Sequence, residues 1–128
     1  LQGKTILGTQ KIWDSSLFSI AHLWVKEKSE QTLLPFLHES FQLFWQRKLD
    51  IENEGVILNL LEKFQLDSAE FTSWKGTNRN SVTSLMDVAL SKGIFGVPTF
   101  VFEEEIFWGS EKLELVKARA TGDYSNLI

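Results

Sequence analysis

The sequence predicts a mostly helical α/β chain, in which five helices precede a short β-hairpin and a final helix. Up to Gly93, apolar residues recur at the three- and four-residue spacing of amphipathic helices. From Pro98 to Trp108 the chain is rich in β-branched and aromatic residues, which is typical of strands. With 128 residues, of which 43% are apolar, the chain has the length of one domain and can bury a core.

Apolar stripes predict the first two helices. The first follows Asp14-Ser15-Ser16, whose short polar side chains suit an N-cap. Its apolar residues are Leu17, Ile20, Ala21 and Trp24. The second spans about residues 33–48, with Pro35 in the first turn, where a residue without an N–H is tolerated. Its inward stripe is predicted to be Leu37, Phe41, Phe44 and Trp45.

Capping residues add to the evidence for the next three helices. Asn53 precedes a third helix at about residues 54–65, and Asp67, followed by Glu70, fits a capping box before a short fourth helix. A fifth helix follows Asn80-Ser81 and ends at Gly93, which suits a left-handed residue after a helix. The predicted inward residues are Ile57, Leu60, Leu61 and Phe64 in the third helix, and Val82, Leu85, Met86 and Ala89 in the fifth.

The C-terminal segment predicts a β-hairpin and a last helix. Strands are expected within residues 98–102 and 106–108. Between them, Glu103-Glu104-Glu105 contains no Gly or Asn that readily takes a positive φ, so we expect a longer turn or a bulge. Gly109-Ser110 caps a helix over about residues 111–120. Its predicted inward residues are Leu113, Val116 and Ala120.

The predicted sheet is incomplete. Two strands are marginally stable by themselves and leave a strand edge unpaired. We therefore expect part of a larger sheet to be absent, and the open edge to drive assembly into a homo-oligomer. The chain also opens with Leu1 rather than Met, so we expect the natural start, and any targeting signal in it, to be missing. A cytoplasmic location is expected.

The composition excludes several classes of function. The chain has no cysteine, which excludes thiol catalysis, disulfides and Cys-based zinc sites within it. His22 and His38 lie on different predicted helices, away from any Asp cluster, so no metal site is expected. The net charge of −4 comes without a Lys/Arg stripe, which argues against nucleic acid. The longest nearly apolar run, residues 94–102, is too short to cross a membrane.

Two stretches resemble known families. Residues 93–102 (GIFGVPTFVF), followed by residues 107–113 (FWGSEKL), resemble the signature of 2-hydroxychromene-2-carboxylate isomerases and kappa-class glutathione transferases. Phe44-Trp45, Leu49-Asp50-Ile51 and residues 56–66 are similar to the helical insertion of the same families. Both families belong to the DsbA-like thioredoxin-fold superfamily, whose disulfide oxidoreductases share the Gly-Val-Pro part.

The resemblance implies an α/β thioredoxin-like fold of the DsbA type. Residues 1–93 would form a helical insertion domain with an N-terminal lead-in, and residues 94–128 the C-terminal ββα part of the thioredoxin domain. The N-terminal βαβ half of these families carries a serine in a Ser-Pro-Tyr-like setting or a Cys-x-x-Cys pair. The sequence contains neither, so we expect no catalytic residue in this chain.

The resemblance also implies a binding site. The Val97–Pro98 bond would be cis and would turn the peptide groups of Val97 outward, where a peptide-like ligand pairs with them. Ser110 and Glu111 would hold the γ-glutamyl end of glutathione, although the families carry Ser-Asp at this point. Without the resemblance, Pro98 is a trans residue at an edge strand and Ser110 an ordinary cap. Trp108 would shield the site or belong to the core.

Three functions follow from these observations. In the first, the parent protein is a glutathione-dependent isomerase or transferase that acts on a small aromatic or electrophilic substrate, with glutathione as cosubstrate and no metal. In the second, it is a DsbA-like thiol-disulfide oxidoreductase with Cys-x-x-Cys upstream of Leu1. In the third, the chain is a non-catalytic helical interaction module that pairs through its open strand edge.

Overall fold

The computed structural model describes residues 6–127, and it is mostly helical with a single two-stranded sheet in that range. Residues 1–5 of the predicted lead-in and residue 128 of the tail lie outside the described residues. The helices are α1 Ser16–Lys28, α2 Glu30–Trp45, α3 Glu54–Lys63, α4 Ser68–Thr77, α5 Ser81–Ser91 and α6 Leu113–Thr121, and the strands are β1 Thr99–Phe102 and β2 Glu105–Trp108. Within residues 6–127, no helix is long and apolar enough to cross a bilayer.

The chain divides into two compact units, Leu1–Thr83 and Ser84–Ile128. We call them the helical unit and the hairpin unit. The division falls within α5, whereas the resemblance places the end of the inserted domain at residue 93. The boundary at residue 93 refers to the domain organisation of the family, whereas the division at Thr83 separates compact parts of this chain. The boundary at residue 93 therefore stays a prediction.

The helical unit is built around one apolar core. Its largest fully buried side chains are Phe36, Phe71, Ile57, Leu61 and Val25. Trp24 of α1 packs against Phe71 of α4 with ring centroids 5.4 Å apart. Burying one such side chain is worth roughly 1.5–3 kcal/mol, so these contacts fix the arrangement of the helices.

Helix α2 differs from its prediction in start and in face. It begins at Glu30, which places Pro35 in the second turn rather than the first. Its fully buried residues are Phe36 and Ser40, whereas Phe41 is 50% exposed. Of the predicted stripe, Leu37 and Phe44 are partly buried and pack against the core, whereas Phe41 does not. The prediction of the buried face is thus only partly correct, because this segment carries apolar residues around much of its circumference. Ser40 tolerates burial because its hydroxyl donates to the Phe36 carbonyl oxygen at 2.6 Å.

Two predicted helix caps are confirmed. The Asn53 side-chain oxygen accepts from the Val56 N–H at 3.1 Å. The Asp67 carboxylate accepts from the N–H groups of the second and third helical residues of α4 at 2.9 and 3.2 Å. Glu70, the expected second half of a capping box, instead forms an ion pair with Lys28 at 2.6 Å. This pair connects α4 to α1.

Helix α5 has the predicted start and end but not the predicted burial. Gly93 ends it with a φ of +81°, as expected for a residue after a helix. Val82 packs partly against the core, yet Leu85 and Met86 are 53% and 59% exposed. The apolar periodicity is present, but these two side chains are exposed.

In the hairpin unit, β1 and β2 pair antiparallel from Thr99 opposite Trp108 to Phe102 opposite Glu105. The prediction of a longer turn or a bulge is wrong, because only Glu103 and Glu104 connect the strands. Glu103 takes a φ of +57° to close this turn. A left-handed conformation costs a residue with a side chain about 1–2 kcal/mol. The two-residue turn therefore forms although the conformation of Glu103 is unfavourable for a glutamate.

The last helix begins with a 3₁₀ turn, Ser110–Lys112, before α6. Ala118 is its buried residue, whereas Leu113 and Ala120, which were predicted to face inward, are exposed. The 3₁₀ turn has a different period from an α-helix, so it rotates the following residues away from the predicted face. Arg119 pairs with Glu105 at 3.2 Å and ties α6 to the start of β2.

Candidate functional site

The Val97–Pro98 peptide lies immediately before β1, and it is cis, as expected. Val97 is 89% exposed, and Pro98 is also exposed. Proline suits this place because the first residue of an edge strand does not need to donate an N–H. The chain therefore presents the residue before the strand to solvent.

The backbone of Val97 is available for hydrogen bonding. Among residues 6–127, no backbone or side-chain group pairs with its N–H or C=O. The next carbonyl, that of Pro98, accepts from the Gly109 N–H at 2.9 Å. The hairpin hydrogen bonds thus continue to Pro98 and stop there, which leaves the Val97 peptide groups as an open continuation of the strand.

The same hydrogen bond brings the second pair of predicted site residues to this end of the hairpin. Thr99 opposite Trp108 is the last pair of the ladder, and Gly109 closes on Pro98 directly after it. Ser110 and Glu111 follow Gly109 and are both exposed. All four predicted binding residues therefore belong to one end of the hairpin unit.

Gly109 has a structural role that the sequence did not reveal. Its φ of +106° is open to glycine and rarely to any other residue. A Cβ at this position would collide with the carboxylate of Glu111, which lies against the Gly109 backbone. Glycine at position 109 therefore permits the turn after β2. It also lets the Glu111 carboxylate lie close to the Gly109 backbone, whose N–H donates to the Pro98 carbonyl oxygen.

An aromatic pair stands at the same end. Trp108 is 50% exposed and packs against Phe95, which is 73% exposed, with ring centroids 5.1 Å apart and planes at 47°. A Cβ on Gly96 would lie 2.5 Å from the indole nitrogen of Trp108, so only glycine allows this approach. The Thr99 hydroxyl donates to the Gly96 carbonyl oxygen and holds the loop. The buried aromatic residue of β2 is Phe107, so Trp108 lies at the surface rather than in the core.

The charge at this site comes from Glu111. None of the ion pairs within residues 6–127 includes this carboxylate, so it is available to a cation. Exposed peptide groups, one hydroxyl, one carboxylate and an aromatic surface together suit the binding of a short zwitterionic peptide. The sequence has no thiol that could act as a nucleophile beside them.

Comparison with known protein families shows which family the chain belongs to. The DSBA-like thioredoxin domain family matches it over residues 8–120. The chain belongs to this family. The match runs from before α1 almost to the end of α6, so it includes residues of both units of this DSBA-like domain. No curated protein matches the sequence.

Membership confirms the coarser part of the expected relationship, the DsbA-like thioredoxin fold. Within the described residues, the DSBA-like domain here consists of helices and one hairpin. The assignment of Val97, Pro98, Ser110 and Glu111 to a binding site stays a prediction. Their assignment to glutathione rests on the finer resemblance and is argued below as a proposal.

Proposed function

We propose that this chain provides the glutathione-binding part of a glutathione-dependent isomerase or transferase that acts on a small aromatic or electrophilic substrate. One observation carries the proposal: the unpaired peptide groups of Val97 lie at the same end of the hairpin unit as Ser110 and Glu111. A tripeptide with a charged γ-glutamyl end requires this combination of a backbone edge and polar side chains.

The Val97 peptide fits the central residue of glutathione. An extended peptide that lies beside Val97 would receive a hydrogen bond from its N–H and donate one to its C=O, as an added strand does. The high exposure of Val97 leaves room for such a ligand. This contact would orient the cysteinyl residue of glutathione without involving any side chain of this chain.

Ser110 and Glu111 fit the γ-glutamyl end. This end carries an ammonium and a carboxylate on the same carbon. The Glu111 carboxylate would pair with the ammonium, and the Ser110 hydroxyl would donate to the carboxylate. The close approach of Glu111 to Gly109 places its negative charge near the backbone that the ligand would contact.

The aromatic pair would receive the second substrate. Phe95 and Trp108 expose ring surface beside the proposed glutathione position. Ring faces and edges favour a flat aromatic molecule through offset or perpendicular packing. The same surface would exclude water from one side of the sulfur, where an electrophile is attacked.

The residues of this chain would bind and orient, while the activation of the thiol would come from elsewhere. Bound glutathione supplies the nucleophilic sulfur, and a hydrogen-bond donor beside that sulfur would favour the thiolate. The resemblance assigns this role to a serine in a Ser-Pro-Tyr-like setting, which does not occur in this sequence. We therefore assign no catalytic residue to the chain.

A calorimetric titration with glutathione tests the proposal, with the Glu111→Ala variant compared with Glu104→Ala. Glu104 is an exposed acid in the hairpin turn, away from the proposed contacts. Loss of an exposed ion pair of about 1 kcal/mol predicts about fivefold weaker binding for Glu111→Ala and no change for Glu104→Ala. Equal affinities of the two variants would remove Glu111 from the site.

Membership in the DSBA-like family supports a second candidate, a thiol-disulfide oxidoreductase. The open edge at Val97 would then pair with an extended polypeptide substrate, and the reactive thiols would be supplied upstream of Leu1. Disulfide exchange with a peptide substrate, measured on the intact protein, separates the two candidates. Rapid exchange without glutathione binding would favour the oxidoreductase and reduce Ser110 and Glu111 to surface residues.

The third candidate, a helical interaction module, is supported by the exposed apolar residues of α5 and the uncovered strand edge. We propose that the chain forms a homo-oligomer through this edge. Light scattering at increasing protein concentration should show a mass above that of one chain, 14.7 kDa. A constant mass of one chain at high concentration would count against this assembly.

A further inference from the structure

The helical unit contains a cavity of about 360 Å³ where α1 faces α2. Four aromatic side chains form much of its wall: Trp13, Phe18, Phe41 and Phe44. Trp13 and Phe44 meet at 72° with centroids 5.6 Å apart, and Phe18 meets Phe41 at 73° and 6.4 Å. In a nearly perpendicular pair the two ring planes differ in direction, so the cavity wall offers both ring faces and ring edges to a ligand.

This aromatic wall is incompletely covered. Phe41 is 50% exposed, and Phe18 and Phe44 are only partly buried although they pack against the core. Leu49 and Ile51, which are buried, line the same cavity. Aromatic surface left in contact with water is unfavourable, so a flat apolar molecule that covered these rings would gain binding free energy.

The polar groups of the cavity are few and uncharged. Ser15, Ser19, His22 and Ser40 line it, and no Lys, Arg, Asp or Glu does so among the described residues. Burial, together with the nearby charge of Lys26, lowers the pKa of His22, which favours the neutral imidazole with one donor and one acceptor. A charged ligand would lose its hydration here without contacting a residue of opposite charge, since Lys26 does not line the cavity.

From this lining we infer that the cavity binds a small, neutral aromatic molecule with one hydroxyl group, a phenol or naphthol, whose hydroxyl bonds the His22 imidazole. The site goes beyond the proposed glutathione function, because every residue that lines it belongs to the helical unit. Ligands of this size usually occupy cavities of roughly 300–1,000 Å³ with a mainly apolar lining and a few polar groups.

Equilibrium dialysis of the 128-residue chain against 2-naphthol, which is neutral near pH 7, tests the inference directly. The matched probe is 2-naphthoate, which has the same ring system and a negative charge. We expect saturable binding of one naphthol per chain, and binding of naphthoate at least about tenfold weaker because its charge would be buried without a partner. Absence of naphthol binding, or equal binding of both probes, would overturn the inference.

Two substitutions locate the site. His22→Leu removes the main polar group and should weaken naphthol binding about fivefold through one lost hydrogen bond, whereas Ser19→Phe fills the cavity and should abolish binding. His38→Leu is the control, since His38 is exposed and does not line the cavity. Circular dichroism checks that each variant folds. Unchanged naphthol affinity in a folded His22→Leu or Ser19→Phe protein would refute the assignment. Neither substitution should change the affinity for glutathione, because the proposed glutathione contacts belong to the hairpin unit.

Discussion

The helical unit and the hairpin unit bury very different amounts of apolar surface. The buried apolar residues of the first are Ile20, Ala21, Trp24, Val25, Phe36, Leu49, Ile51, Ile57, Leu60, Leu61, Leu66 and Phe71. Between residues 84 and 127, only Phe107 and Ala118 are buried apolar residues. Stability therefore resides mainly in the helical unit, whereas the proposed ligand contacts belong to the unit with little core of its own.

The largest test of this comparison is Phe71→Ala. Phe71 is completely buried and packs against Trp24, so its removal leaves a cavity and should lower the free energy of unfolding by about 3–5 kcal/mol. The matched variant in the hairpin unit is Phe95→Ala, whose side chain is 73% exposed and whose loss should cost no more than about 0.5 kcal/mol. Urea denaturation followed by circular dichroism measures both. Similar losses would show that the two units contribute equally to stability.

Gly109→Ala sharpens the comparison within the hairpin unit. The positive φ alone should cost about 1–2 kcal/mol, and the new Cβ must also displace the Glu111 carboxylate. Gly122→Ala is the control, because Gly122 also has a positive φ, +75°, but no atom lies within 4 Å of its added Cβ. Unfolding and glutathione binding are measured together. We expect both variants to lose stability and only Gly109→Ala to lose binding as well. Loss of binding in both would mean that the site depends on α6 as a whole.

Glu103→Gly should have a smaller and opposite effect. Glycine takes the φ of +57° without strain, so the variant should be stabilised by about 1 kcal/mol. Glu104→Gly, at the neighbouring turn position, removes the same charge without relieving a positive φ and should give no gain. Thermal unfolding of the two variants makes the comparison. An equal gain in both would assign the effect to charge repulsion among the three glutamates.

The smallest expected effect is the pH dependence contributed by His22. Burial and the charge of Lys26 lower its pKa below the ordinary value of 6.5. Between the folded and unfolded pKa values the unfolded chain binds more protons, so the stability contribution is complete above pH 6.5 and falls as the pH drops below it. His22→Gln should remove this part of the dependence, and His38→Gln should leave it. Unfolding free energies measured at about pH 7 and about pH 5 decide the outcome. If the unfolding free energy of His22→Gln changed between these two pH values as much as that of the unsubstituted chain, the assignment to His22 would be wrong.

Much of the local structure could be predicted from the sequence, because local signals determine it. Asn53, Asp67 and Gly93 end or begin helices through contacts within a few residues, and all three act as predicted. The inner face of α2 could not be fixed in this way. Its apolar residues occur on several sides, so the choice between Phe36 and Phe41 depends on the neighbouring helices.

The candidate site was predictable only through a family resemblance. Composition and periodicity give Ser110 and Glu111 no role beyond a helix cap, and Val97 none beyond a strand start. The structure brings them to one end of the hairpin through the hydrogen bond from Gly109 to Pro98, and it adds Gly96 and Gly109 as positions of close approach. Such roles depend on atoms distant along the chain, which no local pattern encodes.

The exposure of Trp108 makes this residue a natural spectroscopic reporter. Of the five tryptophans, all of which are described, Trp24 is buried, Trp13, Trp45 and Trp74 are partly buried, and Trp108 alone is exposed. A neutral collisional quencher such as acrylamide therefore reaches the indole of Trp108 most readily. A molecule that binds beside Phe95 would shield this indole from the quencher and reduce the quenching of its emission. The residue that widens the proposed substrate surface thus also makes its occupancy visible by fluorescence.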